Sequence, residues 1–110
     1  MSTKFLELIS SNKTLITDGA MGTMLHSHGV DFTQCFDELN LSNPAAVADV
    51  HRKYIEAGAE MILTNTFGAN PYKLSKYGLG DKLAEINKAG VELARRAVAA
   101  SFKDVFVAGD

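Results

Sequence analysis

The chain has 110 residues, enough for one small domain with a modest core. A net charge of −2 gives no electrostatic footing for nucleic acid or an anionic membrane surface, and no apolar run approaches the roughly 20 residues of a membrane span. Its single cysteine, Cys35, excludes an internal disulfide, and Met1-Ser2-Thr3-Lys4-Phe5 has no apolar leader, so the expectation is a cytoplasmic protein.

Residues 3–11 carry Phe5, Leu6, Leu8 and Ile9 at helical spacing, with Ser2 or Thr3 as the cap. Residues 14–18 hold the apolar pair Leu15-Ile16 and read as a first buried strand. Asp18-Gly19-Ala20-Met21-Gly22-Thr23 follows it. This places a carboxylate, two glycines and a hydroxyl at a strand's carboxyl end, where parallel α/β proteins bind ligands. Glycine there permits positive φ and close approach of a ligand to the backbone. The same spacing also suits a tight turn that uses glycine for its geometry alone. Residues 21–27 read as a short helix stopped at Gly29, and residues 29–42, with no sustained period, as a long loop.

Asn43-Pro44 predicts a capped helix start, Val47, Val50, Tyr54 and Ile55 share one face, and Ala57-Gly58 ends the helix. Met61-Ile62-Leu63-Thr64 is apolar nearly throughout, as in a strand covered on both faces. Thr64, Asn65 and Thr66 then cluster polar groups at its carboxyl end, and residues 72–77 read as a short helical turn. A helix over residues 81–100 follows from the face formed by Leu79, Leu83, Ile86, Gly90, Leu93 and Ala97. Asp81 and Glu85 near its start and Arg95 and Arg96 near its end complement the macrodipole, and Glu92 and Arg96 form an i,i+4 pair. Val105-Phe106-Val107-Ala108 is a third strand. The alternation predicts an α/β fold with three parallel strands in the order 1-2-3, near residues 14–18, 61–65 and 104–108, joined through helices.

His26 and His28 near Cys35 outline a metal set, but no further cysteine completes one, and they read as loop-packing imidazoles. His51 reads as a helix-surface or core-edge residue. Cys35 has no evident activating base and reads as a small loop hydrophobe. Asp37 and Glu38 read as a solvated loop. Asp18 and the Thr64-Asn65-Thr66 cluster, at two strand mouths, suggest one shared pocket.

Asp18-Gly19-Ala20-Met21-Gly22-Thr23 resembles the first strand-end motif of homocysteine S-methyltransferase domains. The likeness continues through Cys35-Phe36-Asp37-Glu38-Leu39-Asn40-Leu41 and Val50-His51-Arg52-Lys53-Tyr54-Ile55-Glu56-Ala57-Gly58-Ala59. It extends to Thr64-Asn65-Thr66-Phe67-Gly68-Ala69-Asn70 and Lys73-Leu74-Ser75-Lys76-Tyr77-Gly78-Leu79. The chain is similar to the homocysteine-binding modules of cobalamin-dependent methionine synthases and of bifunctional enzymes fused to a methylenetetrahydrofolate reductase. Betaine-type enzymes share mainly the Asp-Gly start.

The resemblance implies that residues 1–110 are the amino-terminal third of a (β/α)8 TIM barrel that methylates L-homocysteine to methionine. It implies that Asp18 holds the substrate ammonium and that backbone N–H groups around Gly19, Ala20 and Met21 meet its carboxylate. Asn65 and Thr66 would line the pocket. In the family, three cysteine thiolates from later strands, including a Gly-Gly-Cys-Cys stretch, bind zinc (Zn2+), and none of them occurs here. Zinc is therefore expected only in the full-length protein, with methylcobalamin as a candidate methyl donor, and the segment alone is expected to be inactive. The alternatives are a non-catalytic α/β module that binds a partner or self-associates through open sheet edges, and a metal-free small-molecule binder.

One cysteine cannot supply a thiolate triad. Elemental analysis of the purified 110-residue chain is expected to find no stoichiometric zinc. One tight zinc per chain would instead point to a site shared between copies through Cys35, His26 and His28.

Overall fold

The computed structural model describes residues 2–110, with side chains from residue 4 onward; the proposed Ser2 or Thr3 cap lies outside the described side chains. In chain order the elements are α1 (Ser2–Ser10), α2 (Met21–Ser27), α3 (Leu39–Ser42), α4 (Pro44–Glu56), β1 (Met61–Leu63), α5 (Pro71–Ser75), α6 (Leu83–Ser101) and β2 (Phe106–Ala108). A 3-10 turn, Gly80–Lys82, leads into α6. β1 and β2 pair in parallel, with Met61 opposite Phe106, Ile62 opposite Val107 and Leu63 opposite Ala108.

The first expected strand does not form. Residues 14–18 contribute one isolated parallel bridge, Thr17 to Met61, on the side of β1 away from β2. The order of the three segments is as expected, but the ladder does not propagate. At its start, Ile16 N–H is taken by the Glu60 side chain at 3.0 Å. At its end, the Leu63 N–H that would continue the pairing is taken by the Asp18 carboxylate at 3.1 Å. Side chains at both ends hold backbone donors that a longer strand needs.

Residues 29–42 are also more ordered than their lack of period suggested. Leu39–Ser42 forms α3, and Leu39 and Asn40 are buried. Pro44 begins α4 as expected, but Asn43 makes no side-chain cap bond. Asn70 does cap: its side chain accepts from Lys73 N–H at 2.9 Å and starts α5. α4 closes beside Gly58 at φ +111°, whereas α6 ends on a left-handed Phe102 whose side chain is 96% exposed.

Three apolar clusters hold these elements. Leu25, Val30, Leu39, Val47, Val50 and Leu93 join α2, α3, α4 and α6. Ile55, Ala59, Ile62 and Ala94 pack β1 between α4 and α6. Ala69, Leu74 and Ile86 dock α5 on α6, with Cys35 against them as the small hydrophobe expected of it. Full burial of each Leu or Ile contributes about 1.5–3 kcal/mol. No helix among the described residues is long and apolar enough to cross a membrane.

His51 departs from its reading as a helix-edge residue. It is fully buried, and neither ring nitrogen has a hydrogen-bond partner. Its position explains this: on α4 it lies one turn from both Val47 and Ile55, in the middle of the packed face. Burial lowers its pKa from 6.5 to about 4. The unfolded chain therefore binds more protons than the folded one between those values, so His51 favours folding fully above pH 6.5 and progressively less as pH falls toward 4. The loss amounts to roughly 3 kcal/mol. His51→Leu removes the titrating ring and is expected to flatten this part of the stability–pH curve in urea titrations; an unchanged slope would exclude His51 as its source.

Candidate functional site

The carboxyl ends of β1 and β2 form one hydrogen-bonded rim. Thr64 N–H donates to Ala108 O at 2.9 Å and continues the parallel pairing. The Thr64 and Thr66 hydroxyls lie 2.7 Å apart. Thr66 Oγ1 donates to Asp110 O at 3.1 Å, and Asp110 N–H donates to Thr64 Oγ1 at 3.3 Å. With these donors assigned, Thr64 Oγ1 gives its hydrogen to Thr66 Oγ1, and the circuit is complete. Thr64, Asn65 and Thr66 are all buried.

Asp18 reaches this rim from the other side of β1. Its N–H donates to Met61 O at 3.0 Å, and its Oδ2 accepts from Leu63 N–H. Oδ1 is buried without a partner. Burial raises the carboxyl pKa above its usual value, the Leu63 N–H opposes that rise, and the charge of Asp110 adds to it. The turn that follows is open. Gly19 and Ala20 are exposed, and among the described residues their N–H groups donate no backbone hydrogen bond. α2 begins at Met21.

The glycines of this turn do not adopt positive φ, contrary to the conformational reason expected for them. They make room. A Cβ on Gly19 would lie 3.0 Å from Tyr54 Oη, and one on Gly22 would lie 2.9 Å from Phe36 Cε2. Tyr54 Oη donates to Ala20 O at 2.8 Å and so fixes the turn against α4.

Asp37 was expected in a solvated loop and is instead 6% exposed. Its Oδ2 and Oδ1 accept from Gly68 N–H at 2.9 and 3.2 Å. Gly68 permits this approach, because a Cβ there would lie 2.7 Å from Oδ2. Burial raises the Asp37 pKa; the Gly68 N–H and Lys73 oppose it, and Asp110 adds to it. Asp18 and Asp37 thus both feel Asp110 at the same end of the sheet. Glu38 is half-buried and accepts from Ser42 Oγ at 2.7 Å.

Asn65 is committed to structure. Its Nδ2 donates to Phe36 O at 2.9 Å and to Asn40 Oδ1 at 3.0 Å. Asn40 Nδ2 returns bonds to Asn65 O at 2.8 Å and to Ile86 O at 3.1 Å. Of the residues singled out in the sequence, Asp18 and Thr66 bring polar side chains to the rim, and Gly19, Ala20 and Met21 bring backbone. Asn65 braces the rim from behind. Sequence reasoning missed Asp37 and Asn40; the one available signal was that they stand a helical turn apart around buried Leu39.

Among the described residues no group of three His, Cys, Asp or Glu could hold a metal ion. His26 Nδ1 bonds Val30 O at 2.9 Å and its ring stacks on Phe32, while His28 Nε2 lies 2.6 Å from Asp49 Oδ2. Cys35 faces the α5–α6 cluster. These side chains do not fit a zinc site.

Residues 15–110 match the family model described as homocysteine S-methyltransferase. The methionine synthase of Mycobacterium leprae is 37% identical over 100 residues, which cover 86% of this chain and 8% of that protein. The methionine synthase of Mycobacterium tuberculosis is 36% identical over 94 residues, covering 80% of this chain and 8% of that protein. The metallated form of the homocysteine methyltransferase MmuM from Escherichia coli superposes with a TM-score of 0.82 at 28% identity, covering 94% of this chain and 39% of that one. The chain thus spans under a tenth of the length of these methionine synthases. With the family model matched across nearly all of its residues, this chain belongs to the homocysteine S-methyltransferase family.

Proposed function

We propose that residues 1–110 are the amino-terminal segment of a homocysteine-binding (β/α)8 barrel and supply part of the pocket for the amino-acid end of L-homocysteine. The observation that carries this reading is the Asp18 carboxylate, with one buried oxygen lacking a partner beside a turn whose N–H groups are open. An ammonium group would satisfy Oδ1. The substrate carboxylate would meet backbone donors around Gly19, Ala20 and Met21. Charge-assisted bonds of both kinds are stronger than neutral ones. Thr66 would line the pocket, Asn65 would hold that rim from behind through Phe36 O and Asn40 Oδ1, and neither would do chemistry.

Zinc and a methyl donor such as methylcobalamin belong, in this reading, to the full-length methyltransferase. Among the described residues no group of three His, Cys, Asp or Glu would hold the metal. A cytoplasmic location and self-association of the isolated segment through its open sheet edges are part of the same proposal.

In a full-length protein containing this segment, Asp18→Asn should weaken homocysteine binding and leave zinc content intact. Loss of a charge-assisted bond to a buried ammonium costs on the order of 2–3 kcal/mol, or roughly 30- to 150-fold in affinity by calorimetric titration. Unchanged affinity would make Asp18 a structural turn residue.

The raised Asp18 pKa gives a second expectation. Only the carboxylate form attracts the ammonium, so wild-type affinity should fall as pH drops through a value above the usual 3.8 for Asp. The Asp18→Asn protein should lack that fall. An identical pH profile in both proteins would assign the titration to another group.

A further inference from the structure

α6 carries a glycine in the middle of its packed face. Gly90 is buried, in a 19-residue helix where glycine is the poorest helix former after proline. A Cβ at this position would lie 2.7 Å from Thr66 Cγ2, 2.9 Å from Asn40 Nδ2 and 3.4 Å from Asn65 O. Three groups behind the β1 rim therefore converge on the space of one absent methyl.

Asn40 fills the junction from α3. It is 3% exposed and exchanges side-chain bonds with Asn65 while also bonding Ile86 O on α6. Neither Asn40 nor Gly90 is part of the rim of Asp18, Thr66 and Asp110. Gly90 bears on it through Thr66, whose hydroxyl bridges Thr64 to Asp110, and Asn40 through Asn65, the residue before Thr66. A hydroxyl pair at 2.7 Å weakens when one partner is pushed aside by a few tenths of an ångström.

We propose that Asn40 and Gly90 are positioning residues for the substrate pocket: the notch at Gly90 and the Asn40–Asn65 exchange set where the Thr66 rim stands. This deepens the pocket reading and rests on it. A notch that served packing alone would affect stability and leave ligand affinity untouched, and that difference makes the two roles separable.

The test is calorimetric titration of the full-length protein with L-homocysteine, with zinc content and Tm measured alongside. Gly90→Ala places its methyl against Thr66 Cγ2, and Thr66→Ser removes Cγ2 while keeping the hydroxyl. Gly90→Ala is expected to raise Kd tenfold or more at unchanged zinc content, and the double variant Gly90→Ala/Thr66→Ser to recover part of that loss, because the new methyl still stands 2.9 Å from Asn40 Nδ2. A Kd for Gly90→Ala within twofold of wild type, or a double variant no better than the single one, would overturn the proposal. Should Gly90→Ala not fold, Asn40→Asp removes both Asn40 donor bonds at constant shape and is expected to weaken binding tenfold. Unchanged affinity in that variant, or loss of fold in both, would assign these residues to structure alone. Asp18→Asn separates the two ideas: a loss of affinity there with none in Gly90→Ala defeats only the positioning role, and no loss in Asp18→Asn defeats the pocket itself.

Discussion

The hydrogen bond from Leu63 N–H to Asp18 Oδ2 links the fold to the site. In a continuous ladder that donor would meet a backbone carbonyl. Here a side chain takes it, which ends the pairing at a single bridge and anchors the carboxylate at the mouth of β1. The Leu63 N–H offsets part of the cost of burying the carboxylate, whose other oxygen has no partner.

Behind the rim, close approach is achieved by leaving out side chains. Gly19 admits Tyr54, Gly22 admits Phe36, Gly68 admits Asp37, and Gly90 admits Thr66 and Asn40. Each contact brings a side chain from elsewhere in the chain against backbone: aromatic at Gly19 and Gly22, a carboxylate at Gly68, a methyl and an amide at Gly90. Packed interiors respond to one added methyl, so a Cβ at Gly68 or Gly90 would displace its neighbours.

The buried titratable groups act on stability in opposite directions. His51 is held neutral by burial and favours folding less as the solution becomes acidic. Asp18 and Asp37 have raised pKa values, so their contribution is greatest below the usual carboxylate range and is lost as pH rises through the raised values. Burial disfavours the charged form of both carboxyls, so each would gain from a bound cation. The surface ion pairs of Arg52 with Asp49 and Glu56 are solvated and contribute little by comparison.

The sequence by itself determined the features whose signal is local. α4 and α6 were legible because their apolar faces repeat at helical spacing and Pro44 and Gly58 mark the ends of α4. The parallel order of the segments followed from strand and helix alternation, and the family from motifs met in order along the chain. Asp18 was expected at the mouth of a first strand that does not form; its carboxylate instead binds Leu63 N–H at the carboxyl end of β1. Tertiary structure alone decided whether residues 14–18 would extend into a strand, because the deciding donors belong to Ile16 and Leu63 and their partners lie more than forty residues away. It alone buried Asp37, whose neighbours in sequence are compatible with exposure, whereas His51 stands on the face that Val47 and Ile55 already marked. It alone gave Gly90 its purpose, because a glycine on a helix face carries no mark of the threonine and asparagine that fill the space beside it.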